Sequence, residues 1–210
     1  MSWKSMANYR GINAACQAVL DILDSACDQS MFGDNTLSFD LYSADDFKNP
    51  MNIGVSLFLY SVRPNAAQGN RRAMPSMSSN QQSGSPSRAV QRSPLSLDLH
   101  FLLTAWAKKA SLQYDILGWA MRTLADNAIV SSDVLNQVSG DGAFSQEETL
   151  EIVQDDVSDE ILLRIWDGLP QDYHLSAPYL ARVLRIESVV EYASATPVKV
   201  RELRFGEYEE

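Results

Sequence analysis

The chain has 210 residues, 45% of them hydrophobic and 21% charged, which suits one domain or two small ones with a real core. Seventeen Lys and Arg against twenty-seven Asp and Glu leave a formal charge of −10, and the pI is near 4.6. That balance argues against sequence-independent nucleic-acid binding, which sets Lys and Arg against phosphates, and against docking on an anionic membrane. No apolar run approaches the roughly 20 residues of a spanning helix. The opening MSWKSMANYR has no apolar stretch of the secretory kind, so the expected place of synthesis and assembly is the cytoplasm.

In chain order, residues 9–28 place Ile12, Cys16, Val19, Leu20, Leu23 and Cys27 at helical spacing and predict an amphipathic helix. Its two cysteines stand about 16 Å apart along the helix axis, too far for a disulfide. Residues 37–42 alternate Leu37, Phe39 and Leu41 and predict a short strand. Residues 53–63, IGVSLFLYSVR, are β-branched and aromatic on both faces and predict a buried strand.

Residues 64–94 break the pattern. They are rich in Ser, Asn, Gln, Pro and Gly, with Arg71, Arg72, Arg88 and Arg92 and no acid. So little apolar surface cannot offset the entropy of ordering the backbone, and an adaptable insertion is expected. Because this segment is basic, the rest of the chain carries −14.

Residues 95–106 give the clearest signal. Leu95, Leu97, Leu99, Phe101, Leu103 and Ala105 fill one face, with Ser96, Asp98, His100, Leu102 and Thr104 on the other. That is a strand with one core face. It and the strand before the insertion are natural antiparallel neighbours.

Residues 111–127 return to helical spacing, with Ser111 as the expected N-cap. Residues 149–153 predict a short strand. Ser158 caps a predicted helix running to about residue 169, with Asp159 and Glu160 at its positive end and Pro170 closing it. Residues 177–191 alternate and predict a strand. The fold class is therefore α+β, a mixed, mostly antiparallel sheet with helices packed on one side. A single domain over residues 1–198, with 64–94 inserted between two strands, would be followed by a polar tail at 199–210.

The sequence carries no Gly-rich phosphate loop, and two His with two distant Cys argue against a structural zinc site. No cofactor or metal is expected. Asp98 and His100 share a strand face, where an Asp could orient an imidazole for acid–base work. The polar face of a strand must carry something, however, and a structural or interface role is the better reading. His174 reads as a surface residue. Asp155, Asp156, Asp159 and Glu160 read as a solvated helix start, since a calcium loop would need a central Gly. Residues 126–172 hold twelve acids against one base, Arg164. Opposite charge in the insertion and in Arg182, Arg185, Arg201 and Arg204 makes the molecule electrically polar. A head-to-tail contact between copies would gain register from this, but a solvated acidic face is the better reading of the acids.

Four blocks carry a family resemblance: VSLFLYSVRPN (55–65), PLSLDLHFLLTAWA (94–107), YDILGWAMRTLADN (114–127) and DEILLRIWDGLPQDYHLSAPYLARVLRIES (159–188). In this order, with a variable loop after the first, they resemble the N-terminal-domain family of cap, or tail-terminator, proteins of contractile injection systems. Those are phage-tail-like particles such as the antifeeding-prophage and Photorhabdus virulence-cassette assemblies. The resemblance covers residues 9–190 and implies a non-enzymatic, phage tail-terminator-like subunit. It implies a homohexameric ring that ends the inner tube and sheath, helps fix particle length, and engages the sheath partly by strand addition. The implied partners are further copies of the chain, the sheath protein and the inner tube protein, with no nucleic acid and no membrane insertion. The implied location is the bacterial cytoplasm during assembly and then the particle. Interface candidates are Arg71, Arg72, Arg88, Arg92, Asp98, His100, Arg182 and Arg185. Two other readings are a baseplate-side, tail-completion or membrane-facing adaptor of the same particle, and a small hydrolase using Asp98 and His100.

Overall fold

The structure is a computed structural model that describes residues 9–28, 30–33, 35–65, 67, 90–91, 94–139, 144, 148–186 and 191–192. The elements in chain order are α1 (Gly11–Ala26), β1 (Ser38–Tyr42), β2 (Gly54–Pro64), β3 (Val90–Gln91), β4 (Leu95–Trp106), α2 (Ala110–Asp126), β5 (Ile129–Ser131), α3 (Ser132–Ser139), β6 (Thr149–Gln154), α4 (Asp159–Asp167), β7 (Ser176–Ile186) and β8 (Glu191–Tyr192). The chain divides into two compact units, Met1–Asn70 with Pro94–Glu187, and Arg71–Ser93 with Ser188–Glu210.

The first unit is built on a six-stranded sheet in the order β1-β2-β4-β7-β6-β5. Only the β1–β2 pair is parallel; the other four are antiparallel. The parallel pair needs a crossover, supplied by residues 43–53 with a 3₁₀ turn at Asp46–Lys48. Ser43 starts that turn by donating its N–H and its hydroxyl to Asp46 Oδ2, both at 2.7 Å. These hydrogen bonds hold the Asp46 carboxyl below its ordinary range.

The period-two pattern of β4 becomes the main core. Leu97, Leu99, Phe101, Leu103 and Ala105 are buried on one face against Val55 and Leu57 of β2 and Ala177, Tyr179, Ala181 and Leu184 of β7. The α1 helix packs there through Ala14, Ala15, Ala18, Val19, Leu20 and Leu23. Its three alanines let the helix axis lie close to the strands. Helix α2 adds Ile116, Leu117, Ala120 and Leu124, and α3 adds Leu135. Residue 144 is tied to α3 by two bonds: Asn136 Nδ2 donates to the Phe144 carbonyl at 2.9 Å, and the Phe144 N–H donates to Asn136 Oδ1 at 2.8 Å.

Helices α1, α2 and α3 lie on the one side that the pattern requires, and α4 covers part of the opposite face. There Phe47, Trp106 and Trp166 form a second, separate cluster, with Tyr42, Met51, Phe58, Leu162 and Leu169 around it. Phe47 meets Trp166 edge-on with ring centroids 5.5 Å apart. Phe47 enters from the β1–β2 crossover, so the same short connection that permits parallel pairing also seeds this cluster.

Several boundaries differ from the sequence expectation. The N-cap of α2 is Lys109, which makes no side-chain cap bond, and Ser111 lies inside the helix. Lys109 is extended at φ −102° and ψ 129°, as an N-cap residue ordinarily is, so the helix begins at Ala110. Ser158 does cap α4, its Oγ accepting the Ile161 N–H at 3.5 Å. The expected strand over 177–191 is two elements, Ser176–Ile186 and Glu191–Tyr192. The second unit is described through β3 and β8, which pair antiparallel with Val90 opposite Tyr192 and Gln91 opposite Glu191. The end of the insertion thus holds a strand, while the rest of residues 68–89 lies outside the described residues.

Candidate functional site

The sheet face opposite the main core carries the polar groups. Across four adjacent strands runs a row of alternating sign: Arg63 on β2, Asp98 on β4, Arg182 on β7 and Glu151 on β6. Arg63 is registered against Asp98 and Arg182 against Glu151. A register shift between Leu97 and Leu99 brings Asp98 alongside Arg182. Arg182 Nε donates to Glu151 Oε2 at 2.8 Å, with both side chains nearly half exposed. That bond holds the Glu151 carboxyl below its ordinary value and raises the guanidinium, with Asp98 adding a smaller pull on Arg182. So exposed a pair contributes little to stability.

Asp98 and His100 do not form the pair that their shared face permits. Asp98 is held by Asn65, whose Nδ2 lies 3.0 and 2.9 Å from the two carboxylate oxygens. His100 is held by Asp155, with Nδ1 2.7 Å from Oδ2. Asp155 is only 15% exposed and His100 12%, so Asp155 is not the solvated acid that its sequence neighbours implied. The same Asp155 oxygen accepts the Tyr60 hydroxyl at 3.1 Å. A register shift between Leu59 and Ser61 places Tyr60 for that contact. Burial first, and then the Asp155 charge, push the Tyr60 phenol well above its ordinary pKa. Among the described residues His100 Nε2 makes no hydrogen bond, and the only hydroxyl at Asp155 donates to the carboxylate instead of awaiting activation. The arrangement ties three chain segments together.

His174 is not a plain surface residue. Its ring lies 4.7 Å from that of Trp106 and 5.9 Å from that of Trp166, and its Nδ1 is 2.9 Å from the Asp172 carbonyl. Arg185 lines a cleft with Leu135, Phe144, Glu148, Thr149, Leu150, Val183 and Leu184. That cleft holds about 10 Å³, room for no more than a water molecule. Arg71, Arg72, Arg88 and Arg92 lie outside the described residues. Among the described residues no group of three or more His, Cys, Asp or Glu could hold a metal, and no helix is long and apolar enough to cross a membrane.

The fold is shared with terminators of injection particles. One similar solved structure is an extracellular contractile injection system, the PVC sheath/tube terminator in its extended state, with a TM-score of 0.60 and 16% identity. Another is the anti-feeding prophage cap, the AFP tube terminating cap, with a TM-score of 0.56 and 12% identity. Each match takes in 97% of this chain but only 65% and 63% of those chains, so the protein spans less than two thirds of their length. No curated protein sequence matches the chain. The family model for the Pvc16 N-terminal domain matches residues 14–199, and the chain belongs to that family.

Proposed function

We propose that the protein is a non-enzymatic cap, or tail terminator, of a phage-tail-like contractile injection system. The observation that carries this reading is membership of the Pvc16 N-terminal domain family over residues 14–199. The fold shared with a sheath/tube terminator and a tube-terminating cap supports it. Copies of the chain assemble into a hexameric ring on the end of the inner tube and sheath, stop their growth and help fix particle length. The partners are other copies, the sheath protein and the inner tube protein. The ring forms in the bacterial cytoplasm and becomes part of the particle.

In this reading the charged row Arg63, Asp98, Arg182 and Glu151, with His100 beside it, is a contact surface. Alternating charge sets register between partners more than it adds affinity. Residues 1–198 act as one cap domain, with 64–94 as an adaptable insertion and 199–210 as a polar tail. Deleting residues 66–91 therefore leaves the six-stranded unit folded by circular dichroism; a collapsed spectrum overturns that division.

Negative-stain electron microscopy of particles made without this chain tests the function. The expected result is particles of scattered length with frayed sheath ends at one pole. Particles of uniform length with intact ends overturn the proposal.

A further inference from the structure

Residues 155–175 leave the sheet at the end of β6 and return to it at the start of β7. The base of this excursion is closed by the Asp155 N–H, which donates to the Pro178 carbonyl at 3.0 Å. Beyond that point two anchors hold it to the sheet. The first is the Asp155 carboxylate, which takes Tyr60 OH from β2 at 3.1 Å and His100 Nδ1 from β4 at 2.7 Å. The second is aromatic. Trp166 is 2% exposed, donates Nε1–H to Ser176 Oγ at 3.1 Å and meets Phe47 edge-on, while His174 lies over Trp106.

Between the anchors the attachment is thin. Helix α4 buries one residue, Trp166, whereas α1 buries eight and α2 five. Ile161 and Leu163, on the turns of the helix before Trp166, are each 50% exposed. The cluster that receives Trp166 is separate from the main core. A segment with few buried contacts and its own small cluster is a unit of local opening, whose free energy lies below that of global unfolding.

We propose that residues 155–175 are a latched strap, which opens from the sheet as one unit while the main core stays folded, with the Asp155 carboxylate as the latch. Opening separates Trp166 from Phe47 and Trp106 and parts Asp155 from Tyr60 and His100. The latch resists this because both donors would lose a charged acceptor at once, in a place where each is largely shielded from water. The proposal stands on this geometry and does not depend on the cap reading.

Hydrogen exchange read by mass spectrometry on the full chain, over a series of low urea concentrations, tests it. The expected result is that amides of α4 exchange through an opening with a weaker urea dependence than those of β4 and α2. Asp155→Asn should speed exchange across 155–175 by about tenfold or more and leave α1 and α2 unchanged. Tyr60→Phe, which keeps the ring and removes one donor, should give a smaller acceleration confined to the same residues. Exchange of α4 in step with β4 at every urea concentration overturns the strap. If Asp155→Asn unfolds the chain, Tyr60→Phe decides: acceleration spread evenly over all elements, or none at all, overturns the latch.

Discussion

Asn65 grips Asp98 across the mouth of the β2–β4 pair. Its side-chain amide reaches both carboxylate oxygens, at 3.0 and 2.9 Å, and its backbone N–H donates to the Ser96 carbonyl at 2.9 Å. The residue directly follows Pro64, where β2 ends and the insertion begins. Asn65 therefore closes the ladder at the point where the chain departs, and it fixes one member of the charged row. Asn65→Ala keeps the backbone bond and removes the amide. The expected loss is about 2 kcal/mol in urea unfolding, the usual size for a hydrogen bond to a charged group. A second effect separates this site from ordinary packing: Asn65→Ala should speed amide exchange at residues 62–65 and 96–98 before any other part of the sheet.

Gly54 starts β2 with φ +145°, a region that side chains rarely enter. A Cβ there would run into the Ser38 carbonyl oxygen and would sit 2.7 Å from Met51 Sδ and 2.8 Å from the Ser38 N. Two of those three obstacles are backbone of β1, so relief would require β1 to move off β2. Gly54 is registered against both Ser38 and Trp106, which places it between the parallel and antiparallel ladders. Gly54→Ala should cost about 3 kcal/mol or more, from strain and lost pairing together. A fall in the urea midpoint with loss of near-ultraviolet tryptophan dichroism checks it. Gly118 supplies the control, since a Cβ there meets nothing within 4 Å. In mid-helix α2, Gly118→Ala should stabilise the chain by about 1 kcal/mol.

Three hydroxyls lie in a row across β2, β4 and β7, because Ser56 is registered against Thr104 and Thr104 against Ser176. All three are buried. Trp106 Nε1–H satisfies Ser56 Oγ at 2.7 Å, and Trp166 Nε1–H satisfies Ser176 Oγ at 3.1 Å. Among the described residues Thr104 Oγ1, in the middle, has no hydrogen-bond partner. A buried hydroxyl without a partner costs free energy that an isosteric methyl does not. Thr104→Val should therefore be neutral or stabilising by up to about 1 kcal/mol, whereas Ser56→Ala should destabilise by stranding the Trp106 indole N–H. Paired thermal melts of the two variants distinguish them.

How far the sequence foretold this follows from what each element depends on. Strand β4 was legible to the residue because one face is apolar at every second position. Helix α1 was legible because its apolar residues fall at helical spacing. Strand β5 and helix α3 gave no usable signal: three and eight residues are too short for a period to emerge. Phe47 is a lone aromatic in an acidic turn, and nothing in its neighbours marks it as 0% exposed. The contact of His100 with Asp155 was also hidden. It spans 55 positions and depends on strand order, with β7 lying between β4 and β6. Spacing along one strand offered Asp98 instead, which was the nearer acid and the wrong partner. The alternating row Arg63, Asp98, Arg182 and Glu151 was half visible, since Asp98 and Arg182 stood out singly, but the row exists only once four strands are placed side by side.

Alkaline pH offers a test of the main core. Cys16 is 6% exposed on α1, and burial pushes its thiol from an ordinary value of 9.0 up to about 11. Cys27 sits at the end of the helix, outside the last turn, and both cysteines are free. A buried thiol stays neutral where the unfolded chain would already have ionised. Below about pH 8 both states hold the proton and the group is indifferent. As pH rises from about 8 towards 11 the unfolded state loses it ahead of the native state, so native stability falls through that window. Burial also raises the phenols of Tyr42, Tyr60 and Tyr179, so they weaken the fold in the same direction at higher pH. Urea midpoints measured from pH 7 to pH 11 should therefore be flat to about pH 8 and then decline. Cys16→Ala should remove the part of that decline centred between 9 and 11 and leave the tyrosine part in place. A thiol reagent at pH 8 should label Cys27 in the native protein and reach Cys16 only on unfolding. Equal labelling of both thiols in the native state would show that α1 does not bury Cys16 against the sheet.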